Sequence, residues 1–113
     1  MIDARRMEVF AAIYNEKLQS LMKPSAIILQ ADSFRKYLDA QPVIFSGSGS
    51  SKFKTLLEHS NAVFSAAQHS AQHMINLSEK YFAHKKFSDV AYSEPFYLKE
   101  FFTPSNTRYD KKF

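Results

Sequence analysis

The sequence predicts an all-α fold, either an antiparallel helical hairpin or a small helix bundle with one long central helix. Three observations predict it. Apolar residues recur at three- and four-residue intervals along most of the chain, which is the period of an amphipathic helix. Glycine and proline are scarce, at 2 and 4 of 113 residues, whereas an all-β fold needs frequent turn residues. With 45% hydrophobic and 23% charged residues, the composition fits a single helical domain over residues 1–113.

Two helices are expected before residue 42, with Pro24 between them, or alternatively one continuous helix that Pro24 kinks. The first runs from about residue 3 to residue 22 and carries an apolar stripe at helical spacing: Met7, Phe10, Tyr14, Leu18 and Leu21. The second runs from about residue 25 to residue 41, with apolar residues on one face: Ile27, Ala31, Phe34 and Leu38. Pro42 is expected to end it, because proline cannot continue a helix.

Residues 42–52 are expected to form a flexible linker. Its centre, from Ser46 to Ser51, alternates serine with both glycines of the protein. Such composition is typical of flexible linkers and does not support a helix. The same composition is typical of engineered linkers, so the sequence leaves open whether this stretch is native.

The long central helix is expected from about residue 53 to residue 86. Apolar residues follow a three-to-four spacing throughout it: Phe53, Leu57, Phe64, Ala67, Ala71, Met74 and Tyr81. No glycine or proline interrupts it, and at 1.5 Å per residue it would reach about 50 Å. A short helix is expected to start near Ser88 or at Ser93-Glu94-Pro95 and to end before Pro104, followed by a frayed tail over residues 104–113.

A stretch without charge gives the first candidate binding surface. Between Glu58 and Glu79 there is no Asp, Glu, Lys or Arg. A partner can cover such a face without burying a charge, which keeps the desolvation cost low. The alternative is a central helix that is covered by its own chain. The partner-binding residues predicted from this stretch are Phe64, Gln68, Gln72 and Met74.

An aromatic C-terminal third gives the second candidate surface. Residues 81–113 hold 10 of the 17 aromatic residues, interleaved with lysines. Tyrosine and phenylalanine are enriched in interface cores, so this density favours an interface, with ordinary core packing as the alternative. The partner-binding residues predicted here are Tyr81, Phe82, Phe96, Tyr97, Phe101 and Phe102.

No catalytic, metal or cofactor site is predicted, so the protein is not expected to be an enzyme. The absence of cysteine excludes disulfides and thiolate sites. His69 and His73 are four residues apart and would provide half of a zinc site, but no nearby acid completes it. A net charge of +4 and basic doublets matched by nearby acids do not favour nucleic-acid binding.

The expected location is the cytoplasm. No apolar signal-peptide core follows the first residues, and no run of about 18 apolar residues is present to span a bilayer. We therefore expect no transmembrane segment.

The stretch over residues 53–86 resembles the central helix of the phasin family, small helical proteins that coat polyhydroxyalkanoate granules. The resemblance rests on Asn61-Ala62, Ala66-Ala67-Gln68, Ala71-Gln72 and Asn76-Leu77, with few charges and no cysteine. It implies a non-enzymatic amphipathic coat or scaffold protein, with no catalytic residues.

The sequence thus predicts a non-enzymatic interaction protein that binds through apolar and aromatic helix faces. The partner would be a protein or a hydrophobic granule surface. The protein is also expected to self-associate or to assemble with a different chain. The first alternative is a small accessory subunit of a larger multiprotein complex. The second is a basic nucleic-acid-associated protein.

Overall fold

A computed structural model describes residues 1–99 and shows a mixed α/β fold that is only 22% helical. In chain order its elements are β1 (Ile2–Asp3), β2 (Glu8–Tyr14), β3 (Ser20–Ile28), α1 (Arg35–Leu38), β4 (Val43–Phe45), α2 (Ser50–Lys54), β5 (Ala62–Phe64), a 3₁₀ turn (Ala71–Met74) and α3 (Ile75–Ala83). The predicted all-α hairpin or helix bundle is therefore wrong. The first helix expected before residue 42 is replaced by β2 and parts of β1 and β3, and the second by the end of β3 and the four-residue α1.

The strands form two sheets that adjoin at the first residue. One is antiparallel in the order β1-β2-β3, and the other pairs β4 with β5 in parallel through α2. The Met1 nitrogen donates to the carbonyl of Ser46 at 2.6 Å, and the N–H of Gly49 donates to the Met1 carbonyl at 3.2 Å. The start of β1 therefore lies between β2 and the C-terminal end of β4.

The residues of β2 satisfy both a helical and a strand pattern. Phe10 and Tyr14 follow the helical spacing, but Val9, Ala11 and Ile13 alternate with a period of two, as in a half-buried strand. Pairing with β3, which aligns Val9 with Ile27, decides between them. The apolar spacing within one segment does not report which other segment it pairs with. For this reason the helix prediction is wrong here.

The hydrophobic core lies on one side of the two sheets, against α1 and α2. Phe53 of α2 is fully buried at its centre, with ring centroids 5.4 Å from Phe34 and 5.1 Å from Phe45. The buried apolar residues of the described chain are Val9, Ala11, Leu29, Leu38, Phe45, Phe53 and Leu57. Because they come from strands and helices alike, the core joins both sheets into one unit.

The glycine-serine stretch differs from the flexible linker that its composition predicts. Residues 42–52 contain β4 and the start of α2, and Gly49 and Ser50 are buried. Gly47 has a φ of +90°, and a Cβ added to it would collide with the Met1 backbone. A Cβ on Gly49 would lie 2.8 Å from Cγ1 of Val9. The glycines therefore allow β1 to pass close to the turn after β4.

The expected long helix over residues 53–86 is broken into α2, β5, the 3₁₀ turn and α3. Local hydrogen bonds hold the non-helical part: the Asn61 amide donates to the Leu38 carbonyl at 2.8 Å, and the Asn61 N–H donates to Nδ1 of His59 at 3.1 Å. Nε2 of His59 lies 3.3 Å from Oδ1 of Asp39. Side-chain bonds of this kind offer the backbone an alternative to helix.

The C-terminal expectations are only partly within the described residues. Residues 93–99 contain no helix where one was expected to begin, and the expected tail over 104–113 lies outside the described range. Among residues 1–99, no helix combines the length and apolar character needed to cross a membrane.

Candidate interaction surface

Residues 66–97, which we call the arm, form a continuous exposed segment. Every residue in this range is exposed, including those of the 3₁₀ turn and α3. The most exposed large apolar side chains of the arm are Phe82, Phe87, Val90, Tyr92, Phe96 and Tyr97. Exposed apolar side chains at this density are unusual, because burying them would stabilise the folded chain.

The arm is tied to the sheets at both ends. At its start, the N–H of Gly47 donates to the carbonyl of Ala67 at 3.0 Å. Just beyond its end, Nζ of Lys99 lies 2.9 Å from Oε2 of Glu8 on β2. The arm therefore leaves the sheets after β5 and returns to them at β2.

Helix α3 has local signals that define both of its ends. Before it, the hydroxyl of Ser70 accepts the N–H of Gln72 at 3.3 Å and begins the 3₁₀ turn. After it, Lys85 adopts a left-handed conformation with φ of 53°, and the N–H of Lys86 donates to the Tyr81 carbonyl at 2.9 Å. This is the arrangement in which helices commonly end, so local signals define both ends of α3.

The apolar residues of α3 lie on one side of the helix. Helical spacing places Met74, Leu77 and Tyr81 in one row, and Ile75 and Phe82 in the next. The opposite side carries Asn76, Glu79, Lys80 and Ala83. In a globular protein the apolar side of such a helix normally faces a core, but here Phe82 is 72% exposed.

A second uncovered apolar surface lies on the sheets, opposite the core. Val9 and Phe45 point into the core, so the alternation of a strand points Phe10 and Ile44 to the other side. Cross-strand pairing brings Ile2, Phe10, Ala26 and Ile28 together on one sheet, and Ile44 and Val63 together on the other; we call these six residues the open sheet face. Ile28 is 69% exposed and Ile44 is 70% exposed.

An ion pair lies at the rim of the open sheet face. Glu8 pairs with Ile28 across the sheet and is two residues from Phe10, so it belongs to the same face. Its carboxylate is bound by Lys99. The acidic group next to this apolar surface is therefore already neutralised.

The residues predicted from the charge-free stretch divide between the core and the arm. Phe64 lies on β5, is partly buried and stacks on Phe45 with centroids 5.3 Å apart, so it contributes to the core. Gln68, Gln72 and Met74 are exposed on the arm. His69 precedes the 3₁₀ turn, so it does not share a helix face with His73.

The residues predicted from the aromatic third lie on the arm as far as they are described. Tyr81 and Phe82 belong to α3, and Phe96 and Tyr97 follow in an exposed segment. Phe101 and Phe102 lie outside the described residues. The open sheet face was missed in the sequence, because its residues come from five strands that had been assigned to helices or to a linker.

A cleft of about 480 Å³ opens beside the end of the β2–β3 hairpin. Residues of β2 and β4 line it, together with the aromatic Phe34 and Tyr37 and the polar Asn15, Glu16, Gln41 and Ser46. Asn15 holds the hairpin turn, because its side-chain oxygen accepts the N–H groups of Lys17 and Gln19 at 3.0 and 2.9 Å.

No known protein family, curated protein or solved structure matches this chain.

Proposed function

We propose that this protein is a non-enzymatic binding protein that docks onto a folded protein partner through exposed apolar surface. The observation that carries the proposal is the presence of two uncovered apolar surfaces, the arm and the open sheet face. Their exposed side chains are aliphatic and aromatic, with the aromatic residues that dominate interface energetics concentrated on the arm.

A protein partner is favoured over the granule surface implied by the phasin resemblance. A coat helix lies along a surface and needs a long apolar face, whereas α3 has nine residues and spans about 14 Å. The open sheet face is pre-formed by paired strands, so its shape is suited to a complementary protein surface. A cytoplasmic location fits a chain that has no cysteine to oxidise.

The test compares two double variants of α3 in a co-purification experiment. Tyr81→Ser/Phe82→Ser changes the apolar side of the helix, and Asn76→Ser/Ala83→Ser, the matched control, changes the opposite side. We expect wild type and control to retain a stoichiometric protein partner, and the apolar variant to lose it by at least tenfold. Circular dichroism of each variant checks that the fold is retained.

Two results would refute the proposal. One is retention of a lipid or polymer fraction in place of a protein. The other is equal partner retention by both double variants, because the apolar side of α3 would then contribute nothing to binding.

A further inference from the structure

The chain carries both components of a helix-on-sheet interface without joining them. Packing an amphipathic helix on an apolar sheet face is one of the standard two-layer arrangements of protein domains. The apolar side of α3 is exposed, and so is the open sheet face. Within the described chain, the two surfaces therefore do not cover each other.

We propose that α3 of one copy packs on the open sheet face of a second copy, and that the second copy does the same in return. The inference rests on the proposed function, because it names the partner of that same surface. The contact is reciprocal: residues of α3 in each copy meet Ile28 and Ile44 of the other. Such an isologous contact closes a two-fold dimer.

The helix is long enough for the larger sheet. The three paired strands β1–β3 span about 10 Å at roughly 4.8 Å spacing, and β4 and β5 form a separate sheet beside them. The 3₁₀ turn and α3 together span about 21 Å, at roughly 2.0 and 1.5 Å per residue. One helix can therefore cross the sheet of β1–β3 from edge to edge.

The buried area is sufficient for a stable dimer. Large apolar side chains that are about half or more exposed supply it: Ile2, Ile28, Ile44 and Val63 on the sheet, and Met74, Ile75, Leu77, Tyr81 and Phe82 on the helix. Their exposed area sets an upper limit on the order of 900 Å² per copy, taking for every residue roughly 150–200 Å², the low end of the range for aromatic side chains. Two copies would bury at most about 1,800 Å², which lies within the range of specific interfaces.

The charges near these surfaces do not oppose the contact. Glu79 and Lys80 lie on the opposite side of α3 and stay in water. Glu8, at the rim of the open sheet face, is bound by Lys99 at 2.9 Å. The ammonium of Lys86 lies 5.8 Å from the ring centroid of Tyr81, so this lysine is expected to stay at the solvent-exposed rim of the contact.

Thiol cross-linking tests the contact. Because the full chain has no cysteine, only the introduced cysteines can react. Ile28→Cys and Phe82→Cys are made separately, mixed and treated with a short thiol-specific cross-linker. Both positions are exposed, so the fold should tolerate the changes. The matched control pairs Phe82→Cys with Leu56→Cys, which follows α2 on the core side of the sheets.

The expected result is a covalent dimer between Ile28→Cys and Phe82→Cys, at a yield at least tenfold above the Leu56→Cys control. Wild type should sediment with the mass of two chains, and Tyr81→Ser/Phe82→Ser should sediment as one.

Two results overturn the inference. If the double variant Ile28→Cys/Phe82→Cys cross-links within one chain while the mixture does not, the arm covers its own sheet. If the mixture gives no cross-link and wild type is monomeric, no second copy binds. In the monomeric case, loss of a different protein partner by Tyr81→Ser/Phe82→Ser would leave the proposed function standing. If that variant still retained the partner, both the inference and the proposed function would be refuted.

Discussion

The ammonium of Lys52 lies 2.5 Å from Oδ1 of Asp3 and joins α2 to β1. The same ammonium donates to the carbonyls of Arg6 and Glu8, at 2.5 and 3.1 Å. The Lys52 ammonium and the backbone N–H of Arg5 hold the pKa of the Asp3 carboxyl below its usual range. One lysine therefore connects the helix that carries Phe53 to the turn between β1 and β2.

Asp3→Asn is expected to lower the free energy of unfolding in a pH-dependent way. The folded-state pKa of Asp3 is depressed, so its carboxylate stabilises the fold above the unfolded pKa of about 4 and loses this effect as the pH falls through the folded pKa. Denaturant titrations of wild type and variant should differ most near neutral pH and converge in acid. The exposed Asp32, changed to asparagine, is the control, and a pH-independent difference for Asp3→Asn would contradict the assignment.

Alanine at either glycine of the turn after β4 is expected to destabilise the protein. Gly47→Ala places a Cβ against the Met1 backbone at a φ of +90°, and Gly49→Ala places one 2.8 Å from Cγ1 of Val9. Each change should cost about 1–3 kcal/mol of unfolding free energy, measured by denaturant titration. Ser51→Ala, at an exposed neighbouring position, should cost less than about 0.5 kcal/mol.

A double-mutant cycle checks the cause at Gly49. Val9→Ala removes Cγ1, so part of the penalty of Gly49→Ala should vanish when Val9 is already alanine. If the two penalties simply add, the close approach of these residues does not explain the loss of stability.

Truncation of Phe53 is expected to lower the free energy of unfolding strongly, and truncation of Phe82 is expected to change it little. Phe53→Ala removes a fully buried ring from the core and should cost about 3–5 kcal/mol. Phe82→Ala removes an exposed ring of similar size and should change the stability of the dilute chain by less than about 0.5 kcal/mol. Thermal and denaturant unfolding at low protein concentration measure both, and a large cost at Phe82 in the dilute chain would show that the arm packs on its own core.

Hydrogen exchange of the arm is expected to depend on protein concentration. In the dilute chain, the amides of α3 should exchange much faster than those of β2, because no buried contact holds the helix. If second copies cover α3, raising the concentration should slow its exchange by tenfold or more while β2 stays unchanged. Mass spectrometry of peptides from both segments gives the comparison, and concentration-independent exchange of α3 would argue against self-association.

Local properties were accessible from the sequence. The helix over residues 75–83 lies within the segment where helical periodicity was recognised, and its end signals involve residues only a few positions apart. The lack of charge from residue 59 to residue 78 is likewise a property of composition alone. The break at His59 and Asn61 was not accessible, because the Leu38 carbonyl that Asn61 binds is 23 residues away.

What the sequence by itself determined is the amphipathic character of α3, the absence of cysteine and the aromatic content of the C-terminal third. The tertiary structure alone decided the strands, the role of the glycines and the open sheet face. The physical reason is separation along the chain. Helical order joins residues three or four apart, whereas the bond between Met1 and Ser46 spans 45 residues. Only when β1 lies beside β4 does it become apparent which apolar side chains enter the core and which remain uncovered.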